Sequence, residues 1–206
     1  MTTSGRIELM APAGNFESMQ AALDNGCDSI YFGVEQLNMR ARATVNFVLD
    51  DLPEIARRCN EKNVRTYLTL NTIIYDHDLS IVKTLLTKAK EAGITAVIAS
   101  DQAVIMTART MGIEVHISTQ LNVTNIETVK FYAMFADTIV LSRELSLRQV
   151  KKITDDIEKE QIKGPSGNLV EIEIFGHGAL CMAVSGKCYL SLHSHNSSAN
   201  RGACKQ

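Results

Sequence analysis

Two spacings of apolar residues alternate along the chain. Short apolar runs recur at Ile7–Met10, Ser29–Phe32, Arg65–Leu70, Ala96–Ala99, Glu114–Ser118, Thr138–Leu141 and Val170–Phe175. Runs of this length bounded by turn residues predict buried strands. Between them the apolar residues return every three or four positions, which predicts helices with one buried face. The stripes are Phe16, Met19 and Leu23; Leu52, Ile55, Ala56 and Cys59; Leu79, Val82, Leu85, Leu86 and Ala89; Val104, Ile105, Ala108 and Met111; Ile126, Val129 and Ala133; and Leu147, Val150, Ile153 and Ile157. Asn15, Asp51, Asp78, Asp101 and Asn125 stand where a short side-chain oxygen would cap the first turn. Gly26, Asn63, Gly93 and Gly112 stand where helices should stop. Lys163–Asn168 reads as a mobile loop.

Strand and helix in regular alternation predict a parallel sheet covered by helices. A doubly wound sheet would carry a glycine-rich phosphate loop after its first strand, and Pro12-Ala13-Gly14-Asn15 is not one. The expected fold is therefore an α/β (β/α)8 barrel of the TIM type, incomplete here, with about seven βα units. Residues 1–175 would form the barrel and residues 176–206 a cysteine-containing segment at its mouth. The eighth strand would lie beyond Gln206. An open barrel edge would then seek a partner strand, giving a homodimer.

Composition adds limits. The 206 residues suffice for a proper core, and the net charge of -2 gives no global footprint for nucleic acid. Charge is uneven, however. From Ile174 onward there is no acid, and Lys187, Arg201 and Lys205 make that stretch +3, leaving -5 for the rest. It predicts a cationic lip, with a short polar tail as the plain alternative. No apolar run is long enough to span a bilayer, and Met1–Arg6 lacks the apolar stretch of a secretory signal. The five cysteines, an odd number, fit a reducing compartment, so cytoplasm is expected.

Three of those cysteines, Cys181, Cys188 and Cys204, follow a Cys-x6-Cys-x15-Cys spacing. Thiolates gathered this way suggest a metal or an iron–sulfur cluster rather than disulfides, although cysteine is also a common buried hydrophobe. Paired zinc knuckles are absent. Three ligands suggest a missing fourth. Cys27, in a helix-to-strand turn, and Cys59, in an apolar stripe, read as structural.

The site of such a barrel lies at the C-terminal ends of its strands. Those positions are Ala11–Gly14, Gly33 leading to Asn38–Arg42, Asn71, Ser100-Asp101, Ser118-Thr119-Gln120, Ser142-Arg143-Glu144 and Gly176-His177-Gly178. Cys181 opens directly from the last. His116 lies within a strand and reads as a barrel-interior residue, while His177 reads as a site residue. His193 and His195 flank a Ser/Asn-rich loop and are ligands or solvated. Arg143, Arg40 and Arg42 suit an anionic group, with a helix-edge pair between Arg143 and Glu144 as the alternative. Ser185 and Ser191 lack the surroundings of a hydrolase nucleophile.

His177-Gly178-Ala179-Leu180-Cys181, Ser185-Gly186-Lys187-Cys188 and Ser191 resemble the U32 peptidase family, also called collagenase-like peptidases. So do, in order, Leu9–Gly14, Leu68–Thr72, Ser118–Gln120 and Leu141–Leu145. Some members are described as proteases without agreed catalytic machinery. Similar members are iron–sulfur proteins that hydroxylate bases of transfer or ribosomal RNA, or assist ubiquinone hydroxylation. In those, four cysteines hold a four-iron four-sulfur cluster. The resemblance implies that Cys181, Cys188 and Cys204 match the first three and that the fourth lies outside this chain. Ser198–Gly202 resembles the ribosomal branch. The tRNA members imply prephenate as a co-substrate.

The expected function is an iron–sulfur RNA hydroxylase. Arg40, Arg42, Arg143 and Arg201 would hold phosphates. Asn71, Gln120 and His177 would read or position an unstacked base, and together with Glu144 they are the expected catalytic residues. The rivals are a peptidase, which needs an activated nucleophile or metal-bound water, and a structural iron–sulfur or zinc module.

Overall fold

The computed structural model describes residues 7–34, 37–39, 47–178 and 181–205. Seven strands form one parallel sheet: β1 (Met10–Pro12), β2 (Ser29–Phe32), β3 (Arg65–Leu70), β4 (Ala96–Ala99), β5 (Glu114–Ile117), β6 (Thr138–Val140) and β7 (Glu171–Glu173). Each pairs with the next, in the unbroken order β1 to β7. A doubly wound sheet must reverse its strand order, and this one never does. The molecule is an incomplete TIM-type barrel, and no ladder joins β7 to β1 among the described residues. The helices are α1 (Phe16–Asp24), α2 (Leu52–Glu61), α3 (Leu79–Ala92), α4 (Gln102–Thr110), α5 (Ile126–Ala133), α6 (Leu147–Glu160) and a short α7 (Leu190–His195). None of them is long and apolar enough to cross a membrane.

Strand alternation sorts the side chains into two layers. Leu68, Leu70, Val97, Ala99, Val115 and Ile117 join the large core beneath the helices. Their neighbours Tyr67, Ala96 and Ile98 form a second cluster with Met10 and Tyr31, inside the barrel. The helices bury at least half of each stripe read from the sequence; α3 buries Val82, Leu85, Leu86 and Ala89, and α6 buries Ile153 and Ile157. Leu79 and Leu147 are exposed, each standing at the first position of its helix. Leu86 is fully buried. We expect Leu86→Ala to cost about 3 kcal/mol, since truncation removes buried methyl groups and leaves a cavity. A urea-unfolding midpoint unchanged from the parent would contradict this packing.

Caps are divided. Asn15, Asp101 and Asn125 each accept the expected first-turn N–H, from Ser18, Ala103 and Thr128. Asp51 and Asp78 do not cap α2 and α3. Each closes a 3-10 turn just ahead, accepting from Val48 N–H at 2.8 Å and Tyr75 N–H at 2.9 Å. The end strands also depart from the sequence pattern. The first ladder begins at Met10 rather than Ile7, and Ile7 is 89% exposed. Pro12 is tolerated in it because β1 pairs on one side only. At the other edge, the ladder of β7 stops at Glu173, short of Phe175. The loop read as mobile is tied down instead: Ser166 donates to Asp137 through its N–H (3.0 Å) and hydroxyl (2.7 Å), and Gly164 N–H donates to Asn168 O (2.9 Å).

Polar groups occupy the inner layer beside Tyr67. The Tyr67 ring lies 4.5 Å from the ring of His116, which is buried. Its hydroxyl donates to Glu8 Oε1 at 2.8 Å, and Glu8 also pairs with Arg65. His116 Nε2 lies 3.1 Å from Glu114 Oε1. Burial pushes the Glu173 carboxyl up to about 7, with His116 opposing the shift. Burial also pushes the Cys59 thiol up to about 11 and raises that of Cys27.

Candidate functional site

At the C-terminal ends of the strands the backbone turns away from the sheet, so side chains there face the barrel mouth. Asn71, one residue past β3, spans the mouth. Its Oδ1 accepts Met39 N–H at 3.1 Å, and its Nδ2 reaches Ser118 Oγ, past β5, at 3.4 Å. Gly33 is required at the end of β2, because a Cβ there would fall 2.3 Å from the Asn38 side chain. Past β6, the Ser142 hydroxyl donates to Glu144. That bond, foremost, holds the Glu144 carboxyl below the usual carboxylate range, so it stays ionised and is a weak base.

The cysteine segment lies against this face at two places. At the first, Arg143 donates through Nη2 to Ala183 O (3.1 Å) and Ser185 Oγ (3.0 Å). Asn122 Nδ2 donates to Ser185 O at 2.5 Å and to Gln120 O at 3.2 Å. The next residue, Gly186, has φ of 71° and approaches so closely that a Cβ would stand 2.6 Å from Gln120 O. At the second, Arg201 donates through Nη1 to Asp78 Oδ2 (2.5 Å) and Ile73 O (2.8 Å), and its guanidinium lies 4.6 Å from the centre of the Tyr75 ring. Ile73 N–H returns a bond to Asn200 O at 3.2 Å. The Ser191 hydroxyl accepts Lys205 N–H at 3.0 Å, a structural tie.

The expected site residues therefore divide. Asn71, Gln120, Arg143 and Glu144 share the mouth. Arg201 is committed to Asp78, so its charge is already matched. His177 is exposed just past β7. Arg40 and Arg42 lie outside the described residues, as do Ala179 and Leu180. Cys181 and Cys204 are exposed and Cys188 is half-buried. Among the described residues no three His, Cys, Asp or Glu side chains gather closely enough to hold a metal ion. His193 and His195 end α7, exposed.

Sequence reasoning missed Asn122, Asp78 as a partner for Arg201, and the close approach of Gly186. An Asn in the left-handed region signals a special turn, and Asn122 has φ of 52°. The amide oxygens of Gln120 and Asn122 are both buried without a hydrogen-bond partner. Buried polar atoms normally find one, so two unpartnered acceptors at the mouth mark a place for donors. Arg143 also stands out. No carboxylate lies within ion-pair distance of it among the described residues, as is also true of Arg109 and Arg148, whereas Arg57, Arg58, Arg65 and Arg201 are paired; Arg143 differs in lying at the mouth.

The sequence profile of peptidase family U32 matches residues 14–206. A protein of Porphyromonas gingivalis named collagenase is 56% identical over 97% of this chain and 48% of its own length. The 23S rRNA 5-hydroxycytidine C2501 synthase of Escherichia coli is 34% identical over 99% of this chain and 29% of its own length. The chain thus spans about half the length of these relatives or less. Among solved structures, the U32 peptidase Mk0906 superposes with a TM-score of 0.61 at 14% identity, over 84% of this chain and 70% of that one. This last likeness supports the fold alone.

Proposed function

This chain belongs to peptidase family U32, and we propose that the full-length protein is an enzyme that hydroxylates a base in ribosomal or transfer RNA. One observation carries the reading: Arg143, whose hydrogen bonds go to a carbonyl and a hydroxyl, reaches the same Ser185 that Asn122 holds, near the unpartnered amide oxygens of Gln120 and Asn122 at one barrel mouth. An unstacked base offers N–H donors to such oxygens, and its phosphate offers charge to the guanidinium. Asn71, bridging β3 and β5, keeps the floor of the mouth in place. Glu144 stays charged at the mouth, its carboxylate engaged by the Ser142 hydroxyl. Arg201 serves as an anchor for the cysteine segment rather than a phosphate contact.

In the full-length protein we assign Cys181, Cys188 and Cys204 to an iron–sulfur cluster, on the strength of their spacing in the sequence. A small carboxylic acid such as prephenate is the co-substrate this reading carries. We expect Cys181→Ser to abolish cluster absorbance and cut bound iron by most of its wild-type amount. Full iron content in that variant would remove Cys181 from the ligand set.

A peptidase is the second reading, favoured by the 56% identity to a protein named collagenase. The serines at the mouth show no activating base. Among the described residues Ser118 meets Asn71, Ser142 meets Glu144 and Ser185 meets Arg143, and none of these hydroxyls is bonded to a histidine. Gelatin and collagen-peptide cleavage by the purified full-length protein, with Cys181→Ser alongside, separates the two. Hydrolysis that persists in both supports the peptidase. Pairing of two copies through an open barrel edge has no support in the relatives, and we do not propose it.

A further inference from the structure

We propose that Arg143 is an anion-operated latch: a phosphate group displaces Ala183 O and Ser185 Oγ from its guanidinium and so frees residues 183–188 from the barrel mouth. The inference rests on the RNA reading above and adds the step by which substrate gains entry.

Three features meet at this residue. Arg143 is fixed on the sheet side, because the turn that carries it is tied through Leu141 N–H to Glu173 O and Ser142 N–H to Val123 O. Its guanidinium is charged, yet both of its partners are neutral, a carbonyl and a hydroxyl. Bonds from arginine to an oxyanion join opposite charges and can form as two parallel N–H···O bonds, a geometry that a carbonyl and a hydroxyl do not offer. An arriving phosphate therefore outcompetes the segment. No acid lies between Glu173 and Gln206 to take its place, and the neighbouring carboxylate, Glu144, is engaged by the Ser142 hydroxyl. The segment is also built to leave. Besides Arg143, the Asn122 amide holds Ser185 here, and Gly186 supplies a turn with no side chain to extract. Its departure uncovers Gln120, against whose carbonyl Gly186 is pressed. The Arg201–Asp78 contact lies elsewhere and keeps the end of the segment attached.

Hydrogen exchange of residues 183–188 in the full-length protein tests this directly. Inorganic phosphate and a short single-stranded RNA, each compared with chloride at equal ionic strength, should raise exchange there about tenfold, the factor set by about 1.4 kcal/mol. Arg143→Gln should exchange fast with or without phosphate. Ser185→Ala keeps the guanidinium but removes one competitor, so it should respond at lower phosphate than the parent. An unchanged exchange rate with phosphate and RNA overturns the latch, as does an equal phosphate response in Arg143→Gln. A response to malonate but not to phosphate or RNA would assign the cation to a carboxylate ligand and overturn the phosphate assignment. The readout is independent of product, so failure of the latch is distinct from absence of RNA hydroxylation.

Discussion

Arg201→Met is expected to destabilise the cysteine segment by about 3 kcal/mol, because it strands a buried carboxylate. The Asp78 side chain is 5% exposed, and Arg201 neutralises it from a position itself 26% exposed. The Arg201 hydrogen bond is the foremost reason that the Asp78 carboxyl sits below the usual carboxylate range. Without the guanidinium, Asp78 keeps Tyr75 N–H and the exposed His77 ring, 3.5 Å away. The partial exposure of Arg201 places the loss at the lower end of what a broken buried pair costs. Because the Asp78 pKa is depressed in the fold, this stabilisation is present above the unfolded value of 3.8 and is lost as pH falls through the folded one. Adding Asp78→Asn to Arg201→Met should restore most of the loss, since the stranded charge goes with it. Urea midpoints and hydrogen exchange over residues 197–205 measure both. A loss under about 1 kcal/mol would class the pair with ordinary surface bridges.

Glu173→Gln should stabilise the protein at pH 8 by about 3 kcal/mol and leave it nearly unchanged at pH 4. The carboxyl is raised to about 7 from 4.5, chiefly by burial. Between those values the folded state holds a proton that the unfolded chain has released. Stability therefore falls as pH rises from 4.5 to about 7, and the full cost is present above that range. A shift of that size corresponds to about 3 kcal/mol at about 1.36 kcal/mol per unit. The groups facing it include His116, which favours the charged form, while Tyr67 and Glu114 lie on the same inner surface. Thermal melts of parent and variant from pH 4 to pH 8 isolate the contribution of Glu173. Parallel curves would show that the carboxyl ionises freely.

The barrel was legible because both of its periods are strong. Tyr67, Leu68, Thr69 and Leu70 all read as one apolar run, and each is buried, on one face or the other of β3. The stripe of α3 keeps its phase along the helix, and Val82, Leu85, Leu86 and Ala89 are all buried. The strand boundaries at the two edges were less legible, because a ladder needs a partner and composition does not say where pairing ends. Ile7 is as apolar as Ile30, yet Ile7 is exposed and Ile30 fully buried. The caps show the same limit. Asp78 and Asp51 have the right residue type at the right place for a cap, but each carboxylate turns back to the N–H that opens a 3-10 turn, and the guanidinium of residue 201 on Asp78 is a contact no local pattern encodes.

The candidate site was legible as a face and less so as a set of contacts. Strand ends gave Asn71, Gln120, Arg143 and Glu144 without reference to any partner. What Arg143 and Arg201 touch depends on how residues 181–205 fold back, a long-range event with little local signal. Ser185 and Gly186 were part of a motif, but their use as docking points follows from the left-handed turn at Asn122 and the crowding at Gln120. The thiols are the clearest case. Their spacing suggests shared ligation, whereas among the described residues no three such side chains gather into a metal site.

Mass spectrometry of nucleosides from ribosomal and transfer RNA, in cells with and without the full-length gene, tests the central claim most directly. The proposed function predicts that one hydroxylated nucleoside disappears on deletion and returns with the wild-type gene. An unchanged nucleoside profile in both RNA pools would contradict it.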